Sequence, residues 1–395
     1  MSLIVQKYGG SSVANIDRIE SVAERITRWR EQGKRLVIVV SAMAGETDRL
    51  LDLARAISHP NRPNPRELDA LLSSGETTAC TLLCMALEKR GVTARSLQAA
   101  QAGIYSSGSH FRARINDIDT GRVNSELDSG RIPIVAGFQA INEAGDVTTL
   151  GRGGTDTTAV AMAAAMDAEE CQIYKDVDGV YTTDPKIAPE ARRLTRLTHE
   201  EMLELAGQGS KVVQNRAVEF AGKYNVSIRV LSSFIDGPGT LITRGSPELE
   251  SARIAGIAFN RDEALITVAG APAGPGTASE ILGPVADAEI EVDMIVQTTS
   301  REGLIDLSFT LHRDRYAEAL DILRARKSGL DGASISGNGQ VAKLALVGVG
   351  LRSHADVASQ MFRTLADCGI TVHMVSTSEI KVAVLIDEEK IEEGV

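Results

Sequence analysis

The chain has 395 residues, of which 43% are hydrophobic and 24% charged, and its net charge is −11. This is the composition of a soluble globular protein long enough for two or three domains. The acidic balance excludes a nucleic-acid binder, because no overall basic footprint exists to neutralise a phosphate backbone.

The opening lacks a basic region followed by an apolar signal core, and no apolar run approaches a membrane span. Aromatic residues make up only 4%, so the cores must be built from Ala, Val, Ile and Leu. The four cysteines form no disulfide framework. Cys80 and Cys84 lie on one face of an apolar helix and read as core residues, and the scattered histidines supply no metal-ligand pattern. No metal site, no membrane and a reducing, cytoplasmic compartment are expected.

In chain order, strand-like runs at Leu3–Val5, Leu36–Ser41, Thr93–Leu97, Ile132–Val135 and Cys171–Tyr174 alternate with helical patterns at Ile16–Glu31, Glu67–Arg90, Asp119–Asp128 and Thr157–Met166. This βαβ rhythm predicts an α/β fold with a mostly parallel sheet sandwiched by helices. Ligands of such sheets bind beyond the carboxyl ends of the strands. The first strand runs into "KYGGSS", where Gly9 and Gly10 bare backbone amides to an anion and Lys7 adds a charge. "VVSAMAGET" follows another strand. In "TTLGRGGTDTTA", the amides of Gly151, Gly153 and Gly154 precede an Ala-rich helix whose amino end favours negative charge. Asp156 or Thr155 could merely cap that helix, but a cap leaves three glycines and Arg152 unexplained. Glu76, in "LLSSGE", falls at a helix start or bend and by itself reads as a solvated carboxylate. "YKDVDGVYTTDPK" is a polar loop after a strand; by composition it could be a surface loop without a role, or, at the end of a parallel strand, it could wrap a nucleotide.

The last third repeats itself. "ALITVAG" from Ala264 aligns with "AKLALVG" from Ala342, and "DAEIEVDMIVQT" aligns with "DCGITVHMVST". Each copy adds a further strand, and the first continues into a helix at Arg315–Lys327. Two ferredoxin-like βαββαβ modules result. The second copy lacks its closing helix and strand, and the run Ile254–Phe259 is a spare strand that could fill one missing place. Domain bounds of 1–245, 246–335 and 336–395 follow, with the Gly/Pro/Ser-rich "SSFIDGPGTLITRGSPELE" at the junction.

In this order, "KYGGSS", "VVSAM", "SSGE", "AGFQ", "TTLGRGGTDTTA" and "DVDGVYTTDP", followed by the paired modules, resemble the aspartate kinases with two C-terminal ACT domains. The resemblance covers essentially the whole chain. It implies phosphorylation of the β-carboxylate of L-aspartate by ATP, with magnesium arriving as the ATP complex, in the pathway to lysine, threonine and methionine. It implies that Lys7, Gly9 and Gly10 meet the β- and γ-phosphates. Arg152 would hold the substrate α-carboxylate and Glu76 its ammonium, with Ser41, Thr47, Gly153, Gly154 and Thr155 lining the same pocket. Asp156 would orient Lys7 or other cationic partners. Lys175, Asp176, Tyr181, Asp184, Lys186 and Lys211 would serve the nucleotide. A homo-oligomer or an α2β2 assembly through the ACT modules is implied as well. The alternatives are a noncatalytic ACT-containing regulatory homologue and a related acyl-phosphate-forming kinase.

The chain departs from the family pattern in places. Lys175 stands where Ser or Thr is usual, and Lys186 where Arg is common. The effector region comprises Ala273, Gly274, Pro275, Gly276, Thr277, Ala278, Gln297 and Thr298. Lysine- or threonine-sensitive relatives usually have an acidic residue at the place of Ala273 and Asn at that of Thr298. The second module reads "SHAD" where a Pro-Gly turn is common. Weak inhibition by lysine and threonine is therefore expected.

Overall fold

The computed structural model describes residues 2–245, 253–299, 303–325, 332–351 and 355–395. The chain divides into two compact units. The first comprises Met1–Tyr181, Arg193–Ala206 and Lys211–Glu248, and the second Thr182–Arg192, Gly207–Ser210 and Leu249–Val395.

In the first unit, eight strands form one sheet. Their spatial order is Arg196–Thr198, Thr240–Thr243, Ile228–Ser232, Glu170–Lys175, Leu3–Tyr8, Arg35–Val40, Ile132–Ala136 and Ala94–Leu97. Every neighbouring pair is parallel except Ile228–Ser232 with Thr240–Thr243. Runs such as "LVIVV" and "IPIVA" are apolar at consecutive positions because both faces of a parallel sheet are covered. The helix Ile16–Glu31 buries Ile19, Val22, Ala23 and Ile26, and the Asn15 side chain caps it by accepting from the Arg18 amide. The βαβ rhythm expected from the sequence is present. A helix at Glu46–Ser58 and a small second sheet of Arg114–Ile118, Ile104–Ser107, Gln139–Ile141 and Val147–Thr149 add to it.

The helix Pro65–Glu88 corrects one expectation. At 24 residues and a mean hydropathy of 1.3 over its most apolar stretch, it is long and apolar enough to cross a membrane by length and composition. It is instead a core helix that buries Leu72, Ala79, Leu83 and Leu87, along with Asp69 and Glu76.

The second unit holds an antiparallel six-stranded sheet ordered Val292–Thr299, Leu304–His312, Arg253–Pro272, Ser334–Val349, Lys381–Asp387, Val372–Thr377. The two central strands are long, at 20 and 16 residues, and each serves both modules. Ile257 lies opposite Leu346 and Phe259 opposite Leu344, so the spare run fills the vacant place in the second module. Val268 lies opposite Ile335, so the start of the other long strand closes the first module. Two cores follow, one around Phe309, Ile281 and Leu323 and the other around Leu344, Leu365 and Val384. The helix predicted at Arg315–Lys327 begins with a 3₁₀ turn at Arg313–Arg315 and is α-helical over Tyr316–Ala325. Its last expected residues lie outside the described ones, as do Ser353 and His354 of "SHAD".

Candidate active site

Parallel register places Tyr8 opposite both Val40 and Tyr174, and Val40 opposite Ala136. The segments that follow these strands, beginning at Gly9, Ser41, Gly137 and Asp176, therefore leave the sheet at one end. Lys7 pairs in register with Ile173, and Lys175 lies two residues further along that strand, on the same face. Both lysines reach Asp156 in the first turn of the helix Gly154–Ala165. Lys7 Nζ lies 2.6 Å from Asp156 Oδ1, and Lys175 Nζ lies 3.0 Å from Oδ2. Two ammonium groups thus share one carboxylate. Burial opposes the charged form of Asp156, but the attraction of Lys7 and then of Lys175 outweighs it and holds the carboxyl down at about 2. Burial lowers the pKa of Lys7, and the neighbouring Asp156 restores part of it.

Gly9 keeps this cluster clear, since a Cβ there would lie 3.3 Å from Lys7 Nζ. Gly10 packs against the Ala42 carbonyl, which a Cβ would meet at 3.1 Å.

Glu76 sits in the middle of Pro65–Glu88, not at a helix start or bend, and it is buried rather than solvated. Gly75 is the reason, because the helix approaches so closely that a Cβ on it would lie 2.9 Å from the Ala42 Cβ. The Ala42 amide donates to Glu76 Oε1 at 3.1 Å, while Oε2 is buried and unpartnered among the described residues. Burial pushes the carboxyl up to about 7, against the pull of the Ala42 and Glu76 amides. Ser41 is half-buried and its amide donates to the Tyr8 carbonyl. Thr47 is half-buried in the first turn of Glu46–Ser58.

The glycine-rich loop is tightly built. Gly151 and Gly153 adopt φ values of 75° and 76°, a region that favours glycine. A Cβ on Gly153 would lie 2.2 Å from Gln214 Cγ. Gly154 is less tightly enclosed, a Cβ there meeting Leu150 Cβ at 2.8 Å and Phe138 Cδ2 at 3.0 Å, and Thr155 packs where Gly137 leaves room. Arg152 is exposed, and among the described residues no carboxylate pairs with its guanidinium. Two supports of this loop escaped the sequence reading. Arg216 donates to the Leu150 carbonyl at 2.6 Å and to the Ala113 carbonyl at 3.2 Å. Asp69, fully buried, accepts from Thr149 Oγ1 at 2.5 Å and from the Phe111 amide, and it hydrogen-bonds His110 Nδ1. The available signal for Asp69 was a charge inside the apolar run "LDALL".

The remaining candidates are distributed between the units. Asp176 and Lys211 are exposed, and Tyr181 donates to Asp178, which also pairs with Arg193. Asp184 and Lys186 lie in Thr182–Arg192, which belongs to the second unit, where the Ile257 amide donates to the Thr182 carbonyl. Ala273 to Gly276 form an exposed turn in which the Ala273 amide donates to the Gly303 carbonyl. Thr277 is buried and opens the helix Thr277–Asp287, its hydroxyl donating to the Pro272 carbonyl at 2.8 Å, and Ala278 follows half-buried. Gln297 and Thr298 are exposed on the outermost strand. Cys80 and Cys84 are buried core residues, and the Cys80 thiol donates to the Ile134 carbonyl.

Basic and glycine-lined strand ends, joined by an aspartate at a helix amino end and carried with tandem ferredoxin-like modules, define a kinase of the amino-acid kinase class. The amino acid kinase family model matches residues 2–232, and ACT domain models match 265–327 and 344–395. An aspartate kinase of Pseudomonas fluorescens is 54% identical over 393 residues, covering 99% of this chain and 95% of that protein. An aspartokinase of Corynebacterium glutamicum is 46% identical over 398 residues, covering 99% of this chain and 94% of that protein. Escherichia coli aspartokinase III, solved in complex with aspartate and ADP, superposes with a TM-score of 0.82 at 24% identity, covering 99% and 98% of the two chains; this is a likeness of fold. The chain belongs to the aspartate kinase family.

Proposed function

We propose that the protein transfers the γ-phosphoryl group of ATP to the β-carboxylate of L-aspartate, giving β-aspartyl phosphate, as the first step toward lysine, threonine and methionine. The observation that carries this reading is the charge arrangement of the first unit. Lys7 and Lys175 exceed Asp156 by one positive charge, and the buried Glu76 Oε2 has no partner among the described residues.

The acceptor carboxylate is already ionised and needs no general base. The site must bring two anions together and neutralise the transferring charge. Lys7 and the amides of Gly9 and Gly10 take the β- and γ-phosphates. Glu76 takes the substrate ammonium, and Arg152 binds the α-carboxylate bidentately. Ser41, Thr47, Gly153, Gly154 and Thr155 line this pocket. Lys175, Asp176, Tyr181 and Lys211 serve the nucleotide, and magnesium enters bound to ATP. The ACT modules mediate assembly, as a homo-oligomer or with a separate ACT-containing subunit, and the enzyme is cytoplasmic.

A hydroxamate assay for acyl phosphate tests the reading. L-aspartate should be phosphorylated and succinate hardly at all, since losing one charged hydrogen-bonded contact costs roughly 2–3 kcal/mol. Equal turnover of the two would sink the assignment of Glu76.

A further inference from the structure

We propose that Lys175 is a second catalytic cation, held beside Lys7 by their shared carboxylate Asp156 so that both ammonium groups meet the phosphate chain of the nucleotide. The proposal rests on the phosphoryl-transfer reading above and adds to it a residue that the usual family pattern lacks. A Ser or Thr at this place offers a hydroxyl and no charge.

Neutralising Asp156 does not account for Lys175. Lys7 already does so, with its Nζ 2.6 Å from Oδ1 and side-chain exposures of only 5% and 4% for the pair. Lys175 binds the other oxygen at 3.0 Å, and its side chain is 21% exposed against 5% for that of Lys7. Two close ammonium groups repel one another, and the repulsion adds to the burial that lowers the pKa of Lys7. An anion beside both relieves it. Lys175 is also the last residue of its strand, directly before the Asp176 loop. Its charge thus lies at the same sheet end as Gly9 and Gly10.

The chemistry gives such a cation a task. An oxygen of the acceptor carboxylate forms a bond to the γ-phosphorus as the bond to the β–γ bridging oxygen breaks. The electron pair of the broken bond stays on the oxygen that leaves with ADP, and no proton moves. Negative charge therefore grows on the leaving side, where a second ammonium stabilises it more than it stabilises bound ATP.

The test compares Lys175→Thr, Lys175→Met and Lys175→Arg in the full chain. Removing the charge should lower kcat/KM for ATP by roughly ten- to a hundredfold, the size expected for one charge-assisted contact. ADP affinity by calorimetry should fall by about tenfold. The KM for L-aspartate should stay near that of the parent, and Lys175→Arg should restore most of both losses. Lys175→Thr, which installs a residue usual in the family, guards against a variant that fails to fold. A merely structural lysine would change the melting temperature and leave ADP affinity alone; that result overturns the proposal, as does a parental kcat/KM for ATP in Lys175→Thr. If the parent protein shows no aspartate-dependent turnover, the proposed function fails, and the ADP titration still decides the role of Lys175.

Discussion

Lys7 and Glu76 share a physical problem, an ionisable group held out of water, and their surroundings solve it differently. Asp156 compensates Lys7 directly, so the lysine is held as a fixed charge at its strand end, where the proposed role puts the phosphates. Lys7→Ala should lower kcat by about two to three orders of magnitude, the scale of several kcal/mol of electrostatic stabilisation. An unchanged circular dichroism spectrum with near-parental turnover would remove that role. Glu76 has amides but, among the described residues, no cation, and burial raises its carboxyl from 4.5 to about 7. A folded-state pKa above the unfolded one contributes stability that is complete below about 4.5 and lost as pH rises through about 7. The ligand-free protein should therefore lose stability across this range, on the order of 3 kcal/mol, relative to Glu76→Gln. On the role proposed for Glu76, substrate binding runs the other way, because the ammonium of L-aspartate would need the ionised form. Its KM should fall as pH rises through about 7 in the parent and stay flat in Glu76→Gln. Melting curves and KM–pH profiles check both arms, and identical profiles in the two proteins would overturn the assignment.

Elements reach the site by close approach, and glycine permits it. The helix Pro65–Glu88 brings Glu76 to the Ala42 amide only because Gly75 has no side chain. Gly75→Ala should push that helix outward, costing about 1–3 kcal/mol of stability as overpacking does. The KM for L-aspartate should rise several-fold while the KM for ATP changes little. Ser74→Ala, at an exposed neighbour, serves as the control for thermal melts and kinetics. At this scale the sequence was legible where elements are long and capped. Ile16–Glu31 carries an Asn15 cap and an apolar stripe, and it was read with the bounds observed. The strands Gln139–Ile141 and Val147–Thr149 were not read, because three residues each show no periodicity.

The C-terminal third of the chain is built by exchange between its repeats. Each long central strand completes both modules, and this accommodates the second copy without a closing strand of its own. The turn that opens the first module helix, where the family resemblance implies an effector's ammonium, presents Ala273, exposed and without a carboxylate. Thr298, exposed on the outermost strand, supplies a hydroxyl in place of an amide. Feedback coupling cannot exceed the difference in effector affinity between two states. Loss of the acidic anchor should weaken binding by about one to two orders of magnitude, on the order of 2 kcal/mol. Titration of activity with lysine and threonine, singly and together, should therefore show weak inhibition. Half-inhibition at micromolar effector would mean that Asp287, Glu291 or backbone groups replace the missing carboxylate.

Composition, βα alternation, the two glycine clusters and the internal repeat were determined by the sequence itself, because each is written in neighbouring residues. They carried the fold class and the family and singled out Lys7, Arg152 and Asp156, while Glu76 came in only through the family resemblance. Only the tertiary structure decided that Lys7 and Lys175 share Asp156, that Glu76 is buried with one oxygen unmet, and that Asp69 and Arg216 brace the glycine-rich loop. Those facts depend on which strand lies beside which and how closely a helix packs. Charge, burial and pKa are set by neighbours in space, and the chain supplies those neighbours only when it folds.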